Sequence, residues 1–218
     1  MRYIQTFDVI GHRNEVVPST FFRQEHETNH IAVLFPGFGY TVQMPLMYYT
    51  GRLLSESGAD VFLVGYNYSQ QRGFQAASGE ERDLWLRTDT IAAYEMALAQ
   101  RNYKRVTLVG KSIGTRAIGH LLATEEPLPS LRCVWLTPIL RSELLRNQIK
   151  QRPHRALFVV GTADSHYEPA KLVEVQQTTA GQAMVIDKAD HSLEITGDIV
   201  QSIHILEGLI TEIQKFLE

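Results

Sequence analysis

The sequence predicts an α/β domain: a mostly parallel central sheet with helices on both faces and an antiparallel hairpin at the N-terminal end. Three observations carry this. Short apolar runs recur with helical patterns between them, at Ile31 to Phe35, Asp60 to Val64, Val106 to Val109, Cys133 to Leu136, Ala156 to Val160 and Ala183 to Ile186. Apolarity that is continuous rather than alternating marks strands buried on both faces, as in parallel sheets. Ahead of them, Tyr3 to Ile10 and Val16 to Arg23 read as two strands joined by Gly11-His-Arg-Asn14. Finally, 218 residues suit one domain, 1–218, large enough to bury a core on each side of such a sheet.

The helices follow in order. Pro45 to Ser57 offers Leu46, Tyr49, Leu53 and Leu54 for burial, and Glu81 to Gln100 offers Leu84, Ile91, Ala92, Met96 and Ala99. A helix should follow Ser112, and another opens near Glu168-Pro169-Ala170. At the C-terminal end Ile199, Ile203, Leu206, Ile210, Ile213 and Leu217 recur at three and four residues, an apolar stripe read as packing on the sheet.

A formal net charge of −3 argues against a nucleic-acid or anionic-membrane partner held by bulk electrostatics. The stretch Met1 to Asp8 lacks the apolar run of a signal peptide, and no later stretch is long enough to span a bilayer, so the expected location is the cytoplasm. The lone cysteine, Cys133, excludes an internal disulfide and sits in an apolar strand. Oligomeric state is not legible.

The most informative stretch is Val106-Thr-Leu-Val-Gly110-Lys111-Ser112-Ile113-Gly114, an apolar strand running into Gly-x-Ser-x-Gly. A turn this tight between strand and helix strains the backbone at Ser112 and requires residues without side chains two before and two after it. Gly110-Lys111-Ser112 is also the tail of a phosphate-binding loop, but the glycine that motif needs five positions before Gly110 is Arg105, and a strand stands where the loop should be. His26-Glu-Thr-Asn-His30 matches the zinc-protease pattern, which requires a helix. Here it lies between two strands, with turn-prone Thr28 and Asn29 inside it, so no metal and no cofactor is expected.

A serine hydroxyl needs a base, and that base an orienting acid. Loops leaving the carboxyl ends of parallel strands gather on one edge. His191, in Lys188-Ala-Asp190-His191-Ser192 just past the last apolar run, reaches that edge, as does Asp164 after Ala156 to Val160, with Glu168 as the reserve acid. His166 is too close in sequence to Asp164 to bridge it to Ser112. Backbone amides are the best donors for a developing oxyanion. Ile113 follows the nucleophile, and Phe38 stands in Pro36-Gly37-Phe38-Gly39-Tyr40 after the first parallel strand. A dinucleotide loop there would need glycine at Val42.

The order Ser112, Asp164, His191, with the Pro36-to-Gly39 loop upstream, resembles the α/β-hydrolase superfamily over essentially the whole chain from Ile31. The resemblance implies the α/β-hydrolase fold and a serine hydrolase acting through an acyl-enzyme: Ser112 as nucleophile, His191 as general base then acid, Asp164 as orienting acid, Phe38 and Ile113 as oxyanion donors. One departure is Pro36-Gly37 where many members have His-Gly. The dozen or so residues from Arg141 to Arg152 leave no room for a large lid. The segment Tyr66 to Arg82 is expected to wall a partly aromatic, fairly open pocket with Tyr40, Tyr68 and Tyr167 as substrate contacts. The expected substrate is a small acyl ester or thioester. An amide or carbon–carbon hydrolase with the same triad, or a silent binding protein of this fold, is the alternative.

Overall fold

The computed structural model describes residues 2–124 and 130–218. Among them, eight strands form one sheet in the order β1-β2-β4-β3-β5-β6-β7-β8. β1 (Arg2–Ile10) and β2 (Val16–Gln24) are the antiparallel hairpin, and β2 also runs antiparallel to β4 (Asp60–Val64). β3 (His30–Phe35), β5 (Arg105–Lys111), β6 (Ser130–Leu136), β7 (Arg155–Gly161) and β8 (Gln182–Ile186) pair in parallel with their neighbours and with β4. All six residues of β3 are buried, as continuous apolarity demands of a strand covered on both faces.

Two cores flank the sheet. On one face α1 (Pro45–Glu56) and α7 (Ile199–Leu217) pack over Leu34, Val61, Val109 and Val159. On the other, Trp85, Ala93, Ile118, Leu145 and Leu172 come from α3 (Gly79–Leu98), α4 (Ile113–Leu122), α5 (Glu143–Lys150) and α6 (Pro169–Thr179), while the one-turn α2 (Arg72–Ala76) contributes Phe74. Proline at the first turn opens α1 and α6, where its missing N–H costs nothing. Ser78 and Asp198 cap α3 and α7 through Glu81 N–H and Gln201 N–H.

The helices expected from the sequence stand where it puts them, α2 and α5 come in addition, and several buried faces differ. α1 buries Leu46, Met47, Thr50, Gly51 and Leu54, leaving Tyr49 exposed. Gly51 makes the close approach: a Cβ there would lie 3.4 Å from methyls of Leu34 and Leu63, so the helix seats on its small residues and turns its tyrosines outward. α3 turns Trp85, Asp89 and Ala93 inward and leaves Leu84 exposed. α7 packs through Ile205, Leu209, Ile213 and Phe216, so Ile199 and Ile203, expected in the core, are 70% and 58% exposed. The segment His26 to His30 is not helical; His30 instead begins β3, and its Nε2 lies 2.8 Å from Thr107 Oγ1. Among the described residues no helix is long and apolar enough to cross a membrane.

Candidate active site

The register aligns the carboxyl ends of the strands, pairing Phe35 with Gly110, Lys111 with Leu136 and Gly161 with Ile186. The loops carrying Phe38, Ser112, Asp164 and His191 therefore leave the same edge. Ser112 is the turn between β5 and α4, with φ 53° and ψ −115°. That is strained for a residue with a side chain, and it persists because the surroundings over-determine it. A Cβ on Gly110 would lie 2.5 Å from Gly114 O, and one on Gly114 would lie 2.1 Å from Phe35 O. Neither position admits alanine without moving backbone.

His191 and Asp164, distant from Ser112 in sequence, come to it directly. His191 Nε2 lies 2.8 Å from Ser112 Oγ, and His191 Nδ1 lies 2.8 Å from Asp164 Oδ2. The remaining oxygen of Asp164, Oδ1, accepts from the His166 N–H at 2.8 Å. Burial pushes the Asp164 carboxyl up, but the hydrogen bonds from His191 and His166 outweigh it and hold the group below its ordinary value. The loop bearing His191 is shaped by Asp190, whose Oδ1 accepts from Ser192 N–H and Glu194 N–H. Glu168, the reserve acid, pairs with Arg141 and Lys171 at the surface instead.

An open cleft of about 270 Å³ over Ser112 is lined by Gly37, Phe38, Gly39, Tyr40, Lys111, His191 and Ser192. Ile113 opens α4, so its N–H belongs to the helix end that has no intrahelical acceptor. The loop bearing Phe38 is pinned on both sides of the Gly37–Phe38 peptide. Tyr66 OH donates to Pro36 O at 3.1 Å, and Ser69 N–H donates to Phe38 O at 2.9 Å.

Tyr40 lines the cleft, with its ring 5.2 Å from Lys111 Nζ and its phenol oxygen accepting from Leu46 N–H at 3.1 Å. Burial raises that phenol to about 12. Tyr68 is a correction: it is fully buried, stacked between Tyr66 and Phe74, and its hydroxyl donates to Asp89 Oδ2 at 2.8 Å. The rings of this segment are large enough to be worth more in the core than at a rim, so Tyr66, Tyr68 and Phe74 support the cleft from behind. Tyr167 is partly buried against the α3–α6 core, its N–H on Asp164 O, and is not among the residues lining the cleft.

Two neighbours have places that the sequence reading did not give them: His166, set aside there as a base, and Lys111. His166 packs its ring 5.1 Å from that of His191. Lys111, 1% exposed, donates from Nζ to Thr137 Oγ1 and to His191 O, both at 2.7 Å, and so ties the loops after β6 and β8 to the end of β5. Its signal was a lone lysine ending an otherwise apolar strand. Burial lowers its ammonium to about 8, with Asp164 and Asp190 opposing. Between pH 8 and the ordinary lysine range the folded protein sheds this proton while the unfolded chain keeps it, so folding stability attributable to Lys111 rises with pH. Urea unfolding of wild type and Lys111→Met between pH 7 and 10 should show the wild type gaining up to about 3 kcal/mol relative to the variant. A constant difference would place the titration elsewhere. The same variant should lose on the order of 10- to 100-fold in kcat, as loosened positioning does.

The model of a family described as the alpha/beta hydrolase domain matches residues 28–217. No curated protein matches the chain in sequence. Among solved structures, an esterase of Pyrococcus furiosus superposes with a TM-score of 0.71 at 13% identity, covering 99% of this chain and 90% of its own. The esterase domain of a Rhodothermus marinus protein gives 0.66 at 15%, covering 98% of both chains. A dienelactone hydrolase from Anabaena variabilis gives 0.67 at 14%, covering 99% of this chain and 96% of its own. At such identities the likeness is one of fold.

Proposed function

From the premise that this chain belongs to the alpha/beta hydrolase family, we propose that it is a serine hydrolase cleaving a small acyl ester or thioester through an acyl-enzyme. The observation that carries the reading is the continuous hydrogen-bonded line from Ser112 Oγ through His191 to Asp164, at the floor of an open cleft. Ser112 Oγ attacks the acyl carbon while its proton passes to His191 Nε2. The resulting imidazolium is stabilised by Asp164, whose carboxylate is kept ionised by the contacts just described. Negative charge developing on the carbonyl oxygen is met, on this reading, by the Phe38 and Ile113 N–H groups, one in the pinned loop and the other at the free end of α4.

Collapse of the tetrahedral intermediate breaks the bond to the leaving oxygen or sulfur, which takes the proton from His191. Water then repeats the sequence, giving its proton to His191, and the acid is released as Ser112 Oγ recovers it. The 35% exposure of the His191 side chain leaves room for that water. Nothing in these steps calls for a metal or cofactor, and Asp164 is satisfied by protein donors alone.

Intact mass after fluorophosphonate treatment tests the proposal. One adduct on the native protein and none on folded Ser112→Ala is the expected result, because only an activated hydroxyl displaces fluoride. Folded native protein that stays unmodified would mean that Ser112 is not activated, and the fold would then serve binding.

A further inference from the structure

The sequence places Ile199 and Ile203 in a core stripe, and the structure leaves both in solvent at 70% and 58% exposure. They are not scattered surface residues. With Leu206 they form one wall of a groove of about 90 Å³ whose other wall is Pro45 and Leu46 at the start of α1 and whose lining includes buried Leu193. The groove adjoins the site over Ser112: Tyr40 and Ser192 line both. The hydrogen bond from Leu46 N–H to the Tyr40 phenol oxygen joins the catalytic cleft to the first turn of α1, so the shared ring is held in place.

The groove's chemistry is restrictive. Its buried polar member, Ser202, is satisfied within the protein: Oγ donates to Asp198 O at 2.8 Å and accepts from Ile195 N–H at 2.9 Å. Ser202 therefore does not wait for a ligand, and a polar ligand atom set against the aliphatic walls would lose its water without replacement. Branched aliphatic side chains and a small volume suit an alkyl chain. Exposed Glu194, which also lines the groove, opposes a chain ending in a carboxylate.

Resting on the reading of Ser112 as nucleophile, we infer that this groove is the chain-binding subsite of the cleft: it takes a short, uncharged alkyl chain of the substrate, and Ile199, Ile203 and Leu206 limit its length. Burial of apolar surface is the driving force, and each methylene that enters should raise kcat/KM about fourfold until the groove is full. The chain can belong to the acyl half or to the alcohol half of the ester, and the two sources are separable.

The experiment measures kcat/KM in two series, p-nitrophenyl acetate to octanoate for the acyl arm and ethyl to hexyl acetate for the alcohol arm, with wild type and Ile203→Trp. Because Ile203 is largely exposed, the variant should fold, which circular dichroism checks. The expected result is a rise with chain length in one arm, identifying the half of the substrate that occupies the groove, and a flattened rise in Ile203→Trp. A carboxylate-ended acyl or alkoxy chain in that arm should be discriminated against, and Glu194→Gln should relax this. Equal slopes in wild type and Ile203→Trp, or no rise in either arm, overturn the inference. Fluorophosphonate labelling separates the two failures: an adduct on Ser112 with no chain-length effect removes the groove and leaves the nucleophile, whereas no adduct and no ester turnover removes both.

Discussion

Ser112→Ala is expected to lower kcat on the order of 10⁶-fold for any ester the wild type hydrolyses, the scale on which serine hydrolases lose turnover without their nucleophile. The substitution is informative because it should change little else. Alanine and serine bear the same burden at φ 53°, and the backbone bonds of the turn, Ser112 N–H to Leu136 O at 3.0 Å and Thr115 N–H to Ser112 O at 2.9 Å, do not involve the hydroxyl. What disappears is one oxygen, 2.8 Å from His191 Nε2. If the Phe38 and Ile113 N–H groups are the oxyanion donors proposed above, they remain, and a residual rate about 10³ to 10⁴ above the uncatalysed one is expected. Steady-state kinetics on a purified variant with an unchanged Tm decides the matter. Retention of a tenth or more of the activity would send the search for a nucleophile elsewhere.

Asp164→Asn should cost on the order of 10⁴ in kcat, and the surroundings of Asp164 say why. Its Oδ1 accepts from the His166 N–H, a contact that only an oxygen can keep. An asparagine therefore places its amide oxygen there and its NH₂ toward His191 Nδ1. That nitrogen must then accept, and the ring proton moves to Nε2, where it points at Ser112 Oγ and cannot receive the serine proton. The variant would hold its geometry and carry the wrong tautomer. Its side chain is 2% exposed, so bulk water gives little relief. The comparison is Glu168→Gln, whose native carboxylate pairs with Arg141 and Lys171 and should leave turnover near wild type. Full activity in Asp164→Asn, with loss in Glu168→Gln, would exchange the two acids.

Much of this molecule was legible because its signals are local. The strands announced themselves by continuous apolarity, and their alternation with helices implied parallel pairing. The Ser112 turn was visible from a strand, two glycines and a helix within a dozen residues. Asp164 and His191 could be named because a parallel sheet delivers its carboxyl-end loops to one edge, a rule of topology rather than of local sequence. Side-chain direction was harder. Tyr68 looked like a pocket wall because it stands in a loop, yet the loop turns it under α3, where Asp89 receives its hydroxyl. The face of α7 is rotated from the expected stripe: hydrophobicity recurs at helical spacing, but the helix seats through Ser202, Ile205, Leu209, Ile213 and Phe216, and of the expected six only Ile213 is fully buried.

By itself, then, the sequence determined the strands, the longer helices, the strained serine turn and the loops that meet it, since each follows from short-range sterics or from the connectivity of a parallel sheet, while the short α2 and α5 carried no such signal. Only the tertiary structure decided where long side chains end. Lys111 leaves a buried strand to bind the His191 carbonyl 80 residues away, Tyr66 reaches back to Pro36, and Ile199 and Ile203 line an open groove rather than the core. Such destinations depend on which elements pack together and how far each helix is rotated about its axis, and they are set by close packing across the whole core.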